Sequence, residues 1–225
     1  MSAVFARTAL RSSPDLFTRV VRFNQHPAAT LHRDHIPSGI EAALFDRLIQ
    51  SPRGEHKLSG WIARQAGLSP DGFWRFEYPP QRIAVLEPGQ LLALARFAAA
   101  TAEHGRIVSL IGGGMLRDVK QVLGDAAYNF ALKRAALTIG PKPLETDTSA
   151  PLSGESLARS GASWLRTCLG ADSPELLKRT SIKLPAAFAI LPETAPASID
   201  RDRCWKILKR ILLTEIAPEL APCFN

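Results

Sequence analysis

Three consecutive glycines, Gly112-Gly113-Gly114, follow the Ile- and Val-bearing run Arg106–Ile111 and precede Met115-Leu116-Arg117. An extended run, a glycine turn and a helix start are the ingredients of a phosphate cradle, because the first backbone N–H groups of a helix are free to meet an anion. The spacing fits neither G-x-G-x-x-G nor G-x-x-x-x-G-K-[ST], and no further strands alternate with helices to build a parallel sheet. A hinge between two helices is the competing reading, since short apolar runs do not separate strand from helix. His26, His32, Asp34 and His35 carry metal-ligating atoms, but Arg33 stands among them and no His-Glu-x-x-His arrangement occurs, so they read as structural histidines. Each of Cys168, Cys204 and Cys223 lacks a histidine close in sequence, and G-x-S-x-G is absent. Cys168 and Cys204 fall on apolar helix faces and read as core. No catalytic residue, metal ligand or cofactor is assigned.

Basic residues gather in two places, Arg7 to Arg22 and Arg201 to Arg210. On the last helix Arg203, Lys206, Lys209 and Arg210 oppose an apolar stripe of Cys204, Ile207, Leu208, Ile211 and Leu212, with Trp205 at the border. A nucleic-acid binder would add interleaved aromatics or a recognition motif, and only Trp205 is interleaved. The face is either solvated surface or the seat of an acidic protein partner. Arg203, Trp205, Lys206, Lys209 and Arg210 are its candidate partner-binding residues.

Helices must position these groups, because β alternation is almost absent. The 225 residues are 46% hydrophobic and 22% charged, which suits one globular domain spanning 1–225. The net charge of +7 allows an acidic partner without naming it. An odd set of three well-separated cysteines supports neither a disulfide framework nor a zinc site and suits a reducing cytoplasm. No apolar run approaches the roughly 18 residues that a spanning helix needs. Residues 1–13 read as a frayed basic terminus whose composition loosely mimics a transit peptide.

Proline, glycine and caps divide the chain. Short helices are expected over Pro14–Phe23 and Pro27–Leu31. Ser38 would cap Gly39–Gln50 with an Ile40, Leu44, Leu48 stripe, Ser51–Gly54 would turn, and Leu58–Ala66 would resume. Residues 69–88, with Pro70, Gly72, Pro79, Pro80 and Pro88, form a loop-rich joint. Beyond it Leu91, Ala95, Ala98 and Ala102 share a face whose alanines allow close helix approach. Asp125 would cap Ala126–Ile139, apolar on both sides through Leu132 and Ala135 opposite Phe130 and Leu137, and hence the centre of a bundle. Ser153–Leu169, Leu176–Ile182 and a helix from Ser198 or Asp200 to about Ile216 complete an all-α architecture of roughly eight to ten helices.

A string of short blocks in one order resembles the SctK family, which includes YscK and PscK. The blocks are Arg22-Phe23-Asn24, Pro27-Ala28-Ala29, Leu31-His32 and Ile36-Pro37, then the helix from Leu92 to His104-Gly105 and Leu137-Thr138-Ile139-Gly140-Pro141. Ser160-Gly161 with Trp164, Lys178-Arg179-Thr180-Ser181-Ile182-Lys183-Leu184-Pro185, Leu208-Lys209 and Pro222-Cys223-Phe224 follow. Residues 38–87 and the Gly112–Gly114 run match poorly. The resemblance implies a non-enzymatic cytoplasmic adaptor of the type III secretion sorting platform. It would link the cytoplasmic domain of the inner-membrane ring protein SctD to the pod protein SctQ, and indirectly SctL and the ATPase SctN, with no nucleic acid and no direct membrane insertion. Two readings from other classes stand beside it: an enzyme using the Gly112–Gly114 turn for a nucleotide or phosphate, and a basic helical nucleic-acid binder. Helix on both sides of the glycines would favour the adaptor; a strand ending at Ile111 would favour the enzyme.

Overall fold

Helices start where the sequence supplies caps. Ser51 Oγ accepts from Gly54 N at 3.4 Å with Pro52 in first place, and Ser173 Oγ accepts from Leu176 N at 3.4 Å ahead of Pro174. Ser153 and Ser156 cap reciprocally at 2.8 and 3.1 Å, and Asp200 Oδ1 accepts from Arg203 N at 3.0 Å. The computed structural model describes residues 14–110, 112–144, 151–170 and 173–224, so the terminus read over 1–13 lies outside the described residues.

All regular structure among the described residues is helical, as expected. The α-helices are α1 (Pro14–Gln25), α2 (Ala42–Ile49), α3 (Pro52–Gln65), α4 (Pro88–Ala102), α5 (His104–Val108), α6 (Gly114–Lys133), α7 (Ala135–Ile139), α8 (Gly154–Leu169), α9 (Pro174–Ser181) and α10 (Arg201–Ile211). A π-helical turn, Leu212–Ile216, extends α10, and 3-10 turns fill several connections.

The centre of the main core is α4. Leu91, Leu94, Ala95, Phe97 and Ala98 to Thr101 are all buried, which is the signature of a helix packed all round. It lies between α8 and α6. Its alanines do allow close approach: a Cβ at Gly161 of α8 would stand 2.5 Å from the Ala95 carbonyl oxygen. On the α6 side the Phe97 and Phe130 rings lie 5.0 Å apart.

The expectation of a central, two-sided helix over Ala126–Ile139 is corrected. Gly124, at φ 75° and ψ 161°, kinks α6, and Arg134, at φ −131°, separates it from α7. The break turns Leu137 out of register with Phe130. Ala127, Phe130, Ala131 and Ala135 are buried, whereas Leu132 is 43% and Leu137 73% exposed.

Residues 69–88 are irregular, yet they are not peripheral. Phe76, Ile83, Ala84, Val85 and Leu86 sit in the main core, with Pro79–Val85 forming a 3-10 turn. Asn24 of α1 holds the strand-like stretch before it, its side chain bonding both the N–H and the carbonyl of Phe73 at 2.7 Å.

A second, smaller cluster joins Ala28, Phe45, Leu58 and Ile62 beneath α2 and α3. Here the helix after Ser38 starts at Ala42, Leu44 is exposed, and Phe45 is the buried anchor of α2 in place of the Ile40–Leu44–Leu48 stripe. Ser51–Gly54 is the start of α3, not a free turn.

Candidate partner-binding face

α10 buries Cys204, Ile207, Leu208 and Ile211, and Leu212 of the following turn, as its pattern predicts. Cys204 Sγ contacts the Trp164 carbonyl at 3.5 Å, and burial, reinforced by a hydrogen bond with Cys204, pushes the Cys168 thiol well above its ordinary range. These thiols belong to the core.

The opposite side of α10 has more internal work than its sequence suggests. Arg203 donates from Nη2 to the carbonyl oxygens of Ile139 (3.4 Å) and Lys142, and Arg210 donates from Nη1 to that of Leu137 (3.4 Å). Two guanidinium groups thus serve carbonyls at and beyond the end of α7, where intrahelical donors run out. Carbonyl partners are neutral, so the positive charges stay at the surface. Lys206 is exposed between them and Lys209 is half-buried. Trp205 is half-buried, its ring 5.9 Å from that of Phe224, and so sits at the core margin. Arg134 joins the rim through a 2.8 Å ion pair with Glu215.

The structure therefore brings Arg203, Lys206, Lys209 and Arg210 onto one face and adds α7 to it. Leu137 is the residue that pattern reasoning misplaced. The signal lay one turn back: Lys133 and Arg134 occupy the i−4 and i−3 positions, which mark that side as polar.

The other sequence candidates do structural work. His26 Nδ1 lies 2.7 Å from Glu55 Oε2, His32 Nδ1 accepts from Asp34 N at 3.2 Å, and His35 Nε2 lies 2.9 Å from the Leu184 carbonyl. Among the described residues no group of three or more His, Cys, Asp or Glu could hold a metal. The glycine run joins α5 to α6, with Gly112 and Gly113 at φ 66° and 88°, so helix flanks it on both sides.

Blocks distant in sequence meet in the interior. Arg179 is 3% exposed and donates to the carbonyls of Phe23 (3.4 Å), Asn24 (3.0 Å) and Ser69 (2.6 Å), while its Nε pairs with Glu175 at 2.5 Å. Lys183, equally buried, donates to the Ala84 and Leu86 carbonyls at 2.7 and 2.5 Å, with its Nζ 5.5 Å from the centre of the Phe23 ring. Sequence reasoning quoted both residues without seeing that they clasp α1, the 69–86 segment and α9.

Fold and face together define an all-α protein with a tightly clasped interior and a basic outer surface. The chain belongs to the YscK family: the profile described as YOP proteins translocation protein K (YscK) matches residues 19–224. The SctK-family resemblance of the sequence blocks is thus shown. No curated protein matches the chain. The solved structure of the cytoplasmic domain of the T3SS sorting platform protein PscK from P. aeruginosa has the same fold. It aligns with a TM-score of 0.56 at 17% identity and covers 89% of this chain and 95% of that one.

Proposed function

We propose that this protein is a non-enzymatic adaptor of a type III secretion sorting platform. In this reading it joins the cytoplasmic domain of the ring protein SctD to the pod protein SctQ at the cytoplasmic face of the inner membrane, and through the pods it serves SctL and the ATPase SctN. Family membership over residues 19–224 carries the reading, and the fold shared with PscK, described as a sorting platform protein, supports it. The physics is compatible. A tightly packed helical body holds two partners at a set spacing if its surface offers apolar anchors ringed by charge. The face of Arg203, Trp205, Lys206, Lys209 and Arg210 is the proposed contact for one of them.

The test is co-purification of the tagged full chain with the SctD cytoplasmic domain and the SctQ homologue encoded alongside it. Capture of both is expected. Capture of neither, from a folded protein, overturns the adaptor reading.

A further inference from the structure

We propose that α7 and its exit, residues 135–144, form together with the outer side of α10 a docking seat for an acidic amphipathic helix of a partner protein. The proposal rests on the adaptor reading and specifies the chemistry of what binds there.

Three observations meet at this place. The first is an unpartnered apolar ridge: Leu137 is 73% exposed, the largest value among the exposed large hydrophobic side chains apart from none greater, and Leu132 is 43% exposed beside the break that ends α6. The second is a concavity of about 280 Å³ along the same short segment, lined by Ala136, Ile139, Pro141, Pro143 and Leu144. A ridge beside a groove is what a helix with i, i+3, i+4 apolar anchors fits. The third is the charge. Lys133, Lys142, Lys206 and Arg210 are exposed around these apolar groups, and Arg203 and Arg210 place their guanidinium groups on carbonyls of the segment itself. Those contacts hold the ridge in place without neutralising it.

The chemistry selects the occupant. A second copy of this chain would bring the same cations against each other. A nucleic acid would use the cations and leave Leu137 and the groove without a role. An acidic helix with an apolar stripe uses both, its carboxylates meeting the rim and its apolar side covering Leu137.

The probe is a fluorescein-labelled helical peptide of about 18 residues, with Leu at i, i+3, i+4 and i+7 spacing and Glu elsewhere, titrated into the full chain by anisotropy. A peptide with Lys in place of Glu, and a single-stranded DNA of mixed sequence, run in parallel. Leu137→Asp and Lys206→Glu should each weaken the Glu peptide about tenfold, the size of one interface anchor, and added salt should weaken it further. Both side chains are exposed, so the variants should keep the wild-type melting temperature. Equal affinity for wild type and both variants overturns the proposal, as does tighter binding of DNA or of the Lys peptide. Because the peptide is defined independently of SctD and SctQ, this result stands apart from their capture. Peptide binding without capture sinks the adaptor reading alone, and capture unaffected by Leu137→Asp sinks the docking seat alone.

Discussion

Gly161 and Ala95 meet backbone to backbone. A Cβ built at Gly161 would lie 2.5 Å from the Ala95 carbonyl oxygen and 3.3 Å from the Phe188 ring, so the spacing of α4 and α8 depends on the missing methyl group. Gly161→Ala gains up to about 1 kcal/mol of helix propensity. Against this it must push apart two packed backbones, and overpacking typically costs about 1–3 kcal/mol. A lower melting temperature is expected for Gly161→Ala and a larger loss for Gly161→Val; a stabilised alanine variant would contradict the close contact.

Arg179 should be intolerant even of lysine. Its guanidinium reaches Glu175 and three carbonyls from two other segments, a fan that a single ammonium cannot reproduce. Arg179→Ala should cost about 3–5 kcal/mol, as for other broken buried ion pairs. Urea unfolding measures both variants, and a lysine variant with the wild-type midpoint would show that charge alone matters.

Leu137→Ala should change stability by less than about 0.5 kcal/mol, as expected for an exposed side chain. Phe130→Ala, seven residues earlier, should cost about 3–5 kcal/mol because its ring fills the space beside Phe97. Thermal unfolding of the pair tests the break at Arg134, since an unbroken helix would make both costly.

Lys183 should make stability rise with pH just above neutrality. Burial lowers its pKa from 10.5 to about 7, with Glu87 opposing that shift and Arg22 and Arg19 assisting it. Between about 7 and 10.5 the unfolded chain holds the proton and the folded chain releases it, so raising the pH favours folding; below 7 both states are charged and the effect is flat. Cys168 acts oppositely at higher pH, because its raised folded pKa makes ionisation of the unfolded thiol destabilising above about 9. Melting temperature followed from pH 7 to 8.5 should rise in the wild type and rise less in Lys183→Met. Equal slopes would show that Lys183 does not titrate in this window.

Lys206→Glu with Lys209→Glu should leave the melting temperature nearly unchanged, because surface charges contribute only about 0–1 kcal/mol to folding. The same reversal should weaken capture of SctD or SctQ, most at low salt, where charge complementarity acts over the longest range. Undiminished capture of both would return this face to plain solvated surface.

What the sequence made legible follows from how local each cause is. Asp200, Ser173 and Ser153 cap helices through contacts three residues away, and these starts agree with the pattern. The apolar side of α10 agrees because an uninterrupted helix keeps its phase. Ala126–Ile139 fails because one residue, Arg134, leaves helical geometry and resets the phase of everything after it, which no periodicity reveals. At the candidate face the four cations were visible, but Arg203 and Arg210 reach across to α7, and tertiary hydrogen bonds to carbonyls leave no mark on composition. Phe76 and Ile83 show the same limit from the other side: a proline-rich stretch reads as surface loop, yet its apolar side chains have the core as their place.

The small cluster beneath α2 and α3 has a consequence for how the molecule opens. Only Ala28, Phe45, Leu58 and Ile62 are fully buried there, and much of the attachment is polar, through Ser59 to the Ala28 N–H and Glu55 to His26. Cooperative units with few buried apolar groups unfold at lower free energy than the whole. The α2–α3 hairpin is accordingly the first foldon to come loose, its amides exchanging with solvent while those of α4 and α8 stay protected. A chain of this kind can yield at one end under strain and keep its central helix pair in place.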